Sequence, residues 1–392
     1  MPIHALSLTN FRSYARLELT LPEQPLLLYG ANAQGKTNLL EAIYVLATAS
    51  SPLTSLDREL IRWQAEEEGL PYARIRGEVT SGTRSHEMEI VLEKRVLSNG
   101  SARTQKTIRV DRARKRRGDL AGLLTVVLFM PQDVALVSSS PATRRRHLDD
   151  VLCQVDADYC ASLASYQNAL RQRNATLRHL REGTGDRGQL GPFEEVLAAQ
   201  GVLITTKRNA ILEQLSQRGE RLHQQLTAGA EQLRFEYQPG FDTAGEDNDA
   251  AVTKLRSALQ ARRPEEIARG ITLVGPHRDE FRFLATRPAN GARQIDVATY
   301  GSRGQQRTAV LALKLAELEW MKEQGRTPTL LLDEVMAEMD ATRRDYLLAQ
   351  VDGADQTILT ATDPQMFSSE FRARATLWEV RDGLALPQAP AA

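Results

Sequence analysis

The chain has 392 residues, 42% of them hydrophobic and 26% charged, which is enough for two or three domains with a large core. Lys and Arg together number 50, as do Asp and Glu, so the net charge is zero; affinity for a polyanion has to come from local patches, and a uniformly basic coating protein is excluded. No apolar run approaches the roughly 18 residues of a membrane span, and Met1-Pro2-Ile3-His4 does not open a charged and then apolar leader, so a soluble cytoplasmic protein is expected.

Residues 1 to about 143 read as α/β. Leu6-Ser7-Leu8 and Leu17-Glu18-Leu19-Thr20-Leu21 alternate as half-buried strands, and Leu26-Leu27-Leu28-Tyr29 is a short continuous apolar run, the pattern of a strand buried on both faces. That run ends in Gly30-Ala31-Asn32-Ala33-Gln34-Gly35-Lys36-Thr37, a match to G-x-x-x-x-G-K-[ST] between a strand and a helix that continues from Asn38. Successive N–H groups of such a loop converge on phosphates and add to the positive helix end; Lys36 neutralises the β and γ oxygens and the Thr37 hydroxyl ligates magnesium. Gly30 through Thr37 with Asn38 are therefore the expected nucleotide contacts, with ATP and Mg2+ as the cofactors. A plain glycine turn is the structural alternative, and the strand-loop-helix context argues against it.

From Arg103 to Arg117 eight basic residues (103, 106, 109, 112, 114, 115, 116 and 117) face Asp111 alone, a net charge of +7. Such a block is either solvated surface or a set of phosphate contacts for sequence-independent DNA binding. Arg112, Arg114, Lys115, Arg116 and Arg117 are the candidates, with Arg144, Arg145 and Arg146 as a second group. No aromatic residues interleave with either, which favours duplex backbone recognition over base stacking.

Residues 144 to about 235 carry apolar positions at helical spacing, broken at Gly183 through Pro192, and are expected to form a helical hairpin too irregular for a long coiled coil. Cys153 and Cys160, seven apart in that pattern, are expected on one helix face about 10 Å apart, beyond disulfide reach. No histidine pairs closely with another or with a cysteine, so no zinc site is expected. Gln238 to Asp249 reads as a flexible polar join, and α/β character returns at about 266. Tyr300-Gly301-Ser302-Arg303-Gly304-Gln305-Gln306-Arg307 precedes an amphipathic helix through Met321. Ser302 suits an N-cap, a purely structural role, yet the glycines, the hydroxyl and the positive helix end also make a second phosphate-binding surface. Pro328 through Leu332 is a buried strand ending in Asp333-Glu334; beside a P-loop, Asp333 would hold magnesium and Glu334 would polarise the attacking water. The Ala/Pro-rich end after Gly383 is expected to fray.

The order P-loop, Ser-x-Gly-Gln-Gln, Leu-Leu-Leu-Asp-Glu and Glu338-Met339-Asp340 resembles the ATP-binding-cassette heads of the SMC and Rad50 class. Asn32 through Tyr44, Arg144 through Asp149, Gln172-Arg173-Asn174, Gly275 through Asp279 and Tyr300 through Thr308 resemble its RecF branch, over residues 3 to about 365. The resemblance implies an α/β ABC-type P-loop ATPase head (residues 1–143 and 266–392, lobe I) with an inserted short helical second lobe (144–265, lobe II). It further implies a weak DNA-dependent ATPase that forms an ATP-dependent homodimer. In that dimer Ser302, with Gly304 and Gln305, would act in trans on the γ-phosphate held by Lys36 of the other subunit, with Asp340 near the junction. Gln132, in Phe129-Met130-Pro131-Gln132-Asp133, falls where such heads carry a third magnesium and γ-phosphate contact. The family works with RecO and RecR at single-strand gaps to load RecA, so DNA and these proteins are the implied partners. Two departures stand out. Thr360-Ala361-Thr362 occupies the place of the switch histidine of transporter cassettes, and Ser50 through Thr54 lacks the arginine expected before Thr54. The alternatives are an SMC-like chromosome-structure ATPase, a cassette motor or transporter ATPase, and a one-subunit nucleotide switch.

Overall fold

The computed structural model describes residues 2–96, 102–242, 245–287, 293–339 and 341–387. In chain order the first elements are β1 (Ile3–Phe11), β2 (Tyr14–Thr20), β3 (Leu26–Tyr29), α1 (Lys36–Thr48), α2 (Trp63–Glu67), β4 (Tyr72–Ser81), β5 (Arg84–Val96), β6 (Ala102–Val110), β7 (Ala113–Lys115) and β8 (Val126–Phe129). There follow α3 (Ala135–Ser138), α4 (Pro141–Cys153), α5 (Ala157–Arg181), α6 (Leu190–Leu226), β9 (Gln232–Gln238), α7 (Asn248–Ala261), α8 (Arg263–Arg269), β10 (Glu280–Thr286), β11 (Gln294–Asp296), α9 (Val297–Tyr300) and α10 (Arg303–Glu323). The last are β12 (Thr329–Asp333), α11 (Ala341–Asp352), β13 (Thr357–Ala361), α12 (Ser369–Arg374), β14 (Thr376–Arg381) and β15 (Leu384–Pro387). The class is α/β, as expected.

Two compact units result, Met1–Asp133 with Glu317–Ala392, and Val134–Ala316. The first holds two six-stranded sheets. One, in the order β2-β1-β4-β5-β6-β7, is antiparallel and alternates buried and exposed positions along its strands. In the other, β15-β14-β3-β13-β12-β8, every strand from β14 to β8 is parallel to its neighbour. Its central strands read LLLY, TILTA, TLLLD and VVLF and are almost wholly buried, the composition that a sheet covered on both faces demands. Helix α1 is the cover between the two sheets. All of Leu39 through Thr48 is buried, so α1 has no solvent face, and its Leu39, Ile43 and Val45 join one core with Phe11, Ile75, Ile358 and Leu331. Burying each such side chain is worth about 1.5–3 kcal/mol, so the core fixes the first turn of α1 rigidly beneath the loop that precedes it.

The second unit is built on the hairpin of α5 and α6, 25 and 37 residues long. The sheet β11-β10-β9 belongs to it, with Phe235 of β9 lying against Gly219 of α6. The expected lobe boundaries at 144 and 266 therefore differ from the compact units: β10, β11, α9 and the start of α10 fall with the hairpin, because their strands continue the sheet that β9 begins.

Three other expectations are corrected. Cys153 and Cys160 do not share a helix: α4 ends at Cys153 and Asp156 starts α5 by accepting the Tyr159 N–H at 2.8 Å, and both cysteines are buried and not disulfide-bonded. The join from Gln238 is not simply loose, since Gly240 N–H donates to Asp279 Oδ1 at 2.7 Å and Asp247 caps α7. Residues after Gly383 do not all fray, since Leu384 through Pro387 pairs antiparallel with β14. Among the described residues no helix is long and apolar enough to cross a membrane.

Candidate nucleotide-binding site and basic surface

The carboxyl ends of β3, β13 and β12 lie side by side, with Tyr29 in register with Ala361 and Asp333 with Thr360. In an open parallel sheet this edge is where ligands bind. The loop leaving β3 needs glycine for two separate reasons. Gly30 has φ +148° and lies so close to β14 that a Cβ would sit 2.4 Å from Val380 O; Gly35 has φ +108° and is backed by Ser13 and Tyr14, each with an oxygen 2.9 Å from where a Cβ would stand. Tyr14 Oη donates to Gly35 O at 2.9 Å. Burial pushes the Tyr14 hydroxyl well above its ordinary range, which keeps it a neutral donor. Gly35 has no side chain with which to cap α1, so the N–H groups of the first turn stay open at the positive helix end.

Lys36 is 3% exposed and its Nζ lies 2.7 Å from Gly30 O, 2.9 Å from Ala31 O and 3.0 Å from Glu334 Oε1. Thr37 Oγ1 donates to both oxygens of Asp333, at 3.0 and 2.9 Å. Burial raises the Asp333 carboxyl, opposed by hydrogen bonds from Thr360 and Thr37 and by the Lys36 charge. The Gln34 side chain accepts the Asp382 N–H at 2.7 Å and Asn38 donates to Ser13 Oγ at 2.9 Å, tying the second half of the loop and the start of α1 to β-hairpin turns. Among the described residues no group of three or more His, Cys, Asp or Glu is arranged to hold a metal alone. A hydroxyl and a carboxylate at one point suit instead a hard cation that completes its shell with water and phosphate oxygens, as magnesium does. The uncapped helix end and the Lys36 ammonium fit a polyphosphate beside it.

The other expected residues do not all join this group. Gln132 is exposed and donates to Met130 Sδ at 3.4 Å, not to Thr37 or Asp333. Asp340 lies outside the described residues. In the second unit, Ser302 and Gln305 form a reciprocal capping box: Ser302 Oγ accepts the Gln305 N–H at 3.2 Å and Gln305 Oε1 accepts the Ser302 N–H at 2.8 Å. Gly304 follows Ser302 in the first turn of α10, and Gln305 Nε2 donates to Glu231 at 2.8 Å.

The basic block divides by partner. Lys106 is bound to Asp57 at 2.7 Å, Arg109 to Glu89 at 2.5 Å, and Arg117 donates to Thr48 O at 2.8 Å. Arg112, Arg114, Lys115 and Arg116 are exposed at the β6–β7 turn and at edge strand β7, a cationic rim that also carries the exposed Asp111. Arg144 is a correction. It is buried, forks onto Glu280 at 2.7 and 2.8 Å and donates to the carbonyls of Val137 and Ser139, so it is a structural tie and not a DNA contact. Arg145 donates to Asp279 O at 2.6 Å and desolvation lowers its pKa; Arg146 is half-buried.

Sequence reasoning placed Thr360 only as part of the segment that replaces a switch histidine and missed that its hydroxyl donates to Asp333 Oδ1 at 2.8 Å; it also missed the pair Arg12–Glu41. Arg12 forks onto buried Glu41 of α1 at 2.7 and 2.8 Å, and Glu41 also accepts from Ser51 at 2.5 Å. A charge inside an otherwise apolar helix was the only available signal for Glu41.

The model of the RecF/RecN/SMC N terminal domain matches residues 2–382. A "DNA replication and repair protein RecF" of Chloroflexus aggregans is 41% identical over 98% of this chain and 99% of the relative, and that of Roseiflexus castenholzii 40% identical over 99% and 100%. A solved structure described as the recombination mediator protein RecF-ATP in the RecFOR pathway superposes with a TM-score of 0.84 at 31% identity, covering 99% of this chain and 97% of the other. An Smc head bound to the C-winged helix domain of ScpA, at 16% identity and TM-score 0.52 over 99% and 97%, shares the fold alone. The chain belongs to the RecF/RecN/SMC family, on its RecF branch of DNA replication and repair proteins.

Proposed function

We propose that this chain is an ATP-dependent DNA-binding protein of recombinational repair, in which ATP assembles a homodimer on DNA and a weak, DNA-stimulated hydrolysis resets it. One observation carries the reading: Lys36, Thr37, Asp333 and Glu334, with Thr37 and Asp333 separated by 296 positions in sequence, meet at the carboxyl edge of the parallel sheet under an uncapped helix end. The loop Gly30 through Asn38 holds the phosphates through its amides, and Lys36 exchanges the Glu334 carboxylate for β and γ oxygens. Thr37 and Asp333 hold magnesium, which supplies charge neutralisation at those oxygens. Glu334 takes the proton of the attacking water. Gln132 remains a candidate only if its side chain turns from Met130.

Ser302 uses its oxygen to accept from Gln305, so its own proton is available for a γ-phosphate of a second subunit, with Gly304 and Gln305 beside it in the chain; Asp340 is proposed for the same dimer junction from the family resemblance alone. The cationic rim of Arg112, Arg114, Lys115 and Arg116 supplies sequence-independent contacts to duplex DNA and gap junctions. Relatives described as replication and repair proteins, and a solved relative described as a recombination mediator of the RecFOR pathway, support a role in recombinational repair; within that role the proposed partners are RecO and RecR, and the proposed task is loading RecA at single-strand gaps. A second reading, a one-subunit nucleotide switch, is favoured by the Ser302–Gln305 capping box, which already gives both residues a structural role.

Sedimentation with magnesium and ATP, with and without DNA, decides between them. Wild type is expected to dimerise only with ATP, Glu334→Gln to be trapped as the dimer, and Ser302→Arg to bind nucleotide yet remain monomeric. If all three stay monomeric, the second reading stands; if Ser302→Arg dimerises like wild type, the dimer forms without Ser302 and its role in trans is overturned.

A further inference from the structure

β13 is a run of five buried residues, so a side-chain hydroxyl within it has to find its partners inside the protein. Thr360, 2% exposed, stands in register with Asp333 across the parallel β12–β13 pair, and in-register neighbours project from the same face of a sheet. Its Oγ1 donates to Asp333 Oδ1 at 2.8 Å and accepts the backbone N–H of Glu334 at 2.9 Å. A threonine hydroxyl has one proton and two lone pairs, so this pattern commits the proton to the carboxylate and a lone pair to the amide. Glu334 has φ +51°, in the left-handed region that a non-glycine residue keeps only when its surroundings hold it there. The bond from its amide to Thr360 is one such restraint, and from this backbone the Glu334 side chain reaches to 3.0 Å from Lys36 Nζ.

We propose that Thr360 is a positioning residue for ATP hydrolysis: one buried hydroxyl fixes both the Asp333 carboxylate and the strained backbone that aims Glu334. The inference rests on the roles proposed above for Asp333 and Glu334. Without the hydroxyl, Glu334 N–H loses its partner and the turn relaxes, which moves the base; the loop Gly30 through Thr37 is untouched, so phosphate binding persists. The effect belongs in kcat and not in KM.

The substitutions separate hydrogen bonding from packing. Thr360→Val keeps the shape of the side chain and removes the hydroxyl, whereas Thr360→Ser keeps the hydroxyl and removes a methyl group. Thr360→Val is expected to lower kcat by about 10- to 100-fold with KM for ATP within about threefold of wild type, and Thr360→Ser to stay within about threefold in both. If Thr360 only filled space, serine would be the worse of the two. Wild-type kcat in Thr360→Val, an equal loss in Thr360→Ser, or a loss confined to KM overturns the proposal. Thermal melts accompany the kinetics, and if the valine variant does not fold, Thr360→Ala replaces it against serine under the same criteria. Wild type and Glu334→Gln run in the same assay. No turnover by wild type, or undiminished turnover by Glu334→Gln, defeats the reading of the acidic pair and the proposal with it; an inactive Glu334→Gln beside an active Thr360→Val defeats the proposal alone.

Discussion

Lys36 in the first unit and Arg208 in the second are almost equally buried, with side chains 3% and 4% exposed, and they keep very different company. Arg208 of α6 forks onto Asp149 of α4 with bonds of 2.8 to 3.0 Å, reaches Asp279 Oδ2 and Pro276 O at 2.8 Å each, and touches Tyr159. Its guanidinium plane is answered on every side by rigid, buried acceptors. The Lys36 ammonium has two carbonyls and Glu334, whose side chain is 31% exposed. Arginine fits the closed network because its fork matches carboxylates in the plane, and lysine fits the open site because a compact point charge can exchange one anion for another. Burial of a charge therefore does not by itself mark function. What separates the two regions is whether the partners are fixed.

Breaking each charge sharpens the contrast. Arg208→Met leaves Asp149 and Asp279 buried without their cation and is expected to cost about 3–5 kcal/mol in urea unfolding of the second unit. Lys36→Arg is expected to leave stability within about 1 kcal/mol of wild type while lowering ATP turnover by about 100-fold or more, because the guanidinium cannot replace the ammonium against phosphate. Equal stability losses for the two variants would erase the distinction.

The second unit has a pH signature next in size. His277 Nδ1 lies 2.7 Å from the Tyr166 hydroxyl and Nε2 lies 3.0 Å from Thr272 O, a pairing that suits the neutral ring. Burial foremost, then the charges of Arg278, Arg145 and Arg173, pushes its pKa down from 6.5 to about 4. The unfolded chain thus takes up the proton first, so the stability His277 contributes is complete above pH 6.5 and is lost as pH falls towards 4, up to about 3 kcal/mol. Urea midpoints across that window should slope in wild type and flatten in His277→Gln; parallel slopes would rule His277 out as the source.

The smallest effect concerns the cationic rim. Replacing Arg112, Arg114, Lys115 and Arg116 by alanine should weaken DNA binding alike for all sequences and reduce the log-log salt slope by up to about 0.9 for each phosphate that is no longer neutralised, leaving unfolding unchanged. Binding isotherms at several salt concentrations measure it, and an unaltered slope would assign the rim to solvated surface.

The strand, glycine loop and helix around Gly30, Gly35, Lys36 and Thr37 were legible in the chain because the signal is local: the motif spans eight residues, and the apolar run before it and helical run after it fix its context. Asp333 and Glu334 were legible for the same reason, as the polar end of a buried strand. The hairpin showed through its 3.6-residue period. Arg144, by contrast, looked like its neighbours Arg145 and Arg146. A run of cations does not say which member faces Glu280 across 136 positions.

Sequence by itself determined the fold class, the glycine loop between β3 and α1 and the acidic strand end, since each rests on contacts within a few residues or on a repeat that one element carries. Only the tertiary structure decided which charges are answered. Parallel pairing in one register sets Thr360 beside Asp333, and the close packing of α4, α6 and the turn before β10 converts Asp149, Arg208 and Asp279 from scattered polar letters into a buried network. The physical reason is common to both: a charge or hydroxyl taken from water needs a partner at hydrogen-bonding distance, and that partner is chosen by the packing of distant segments, which no local pattern encodes.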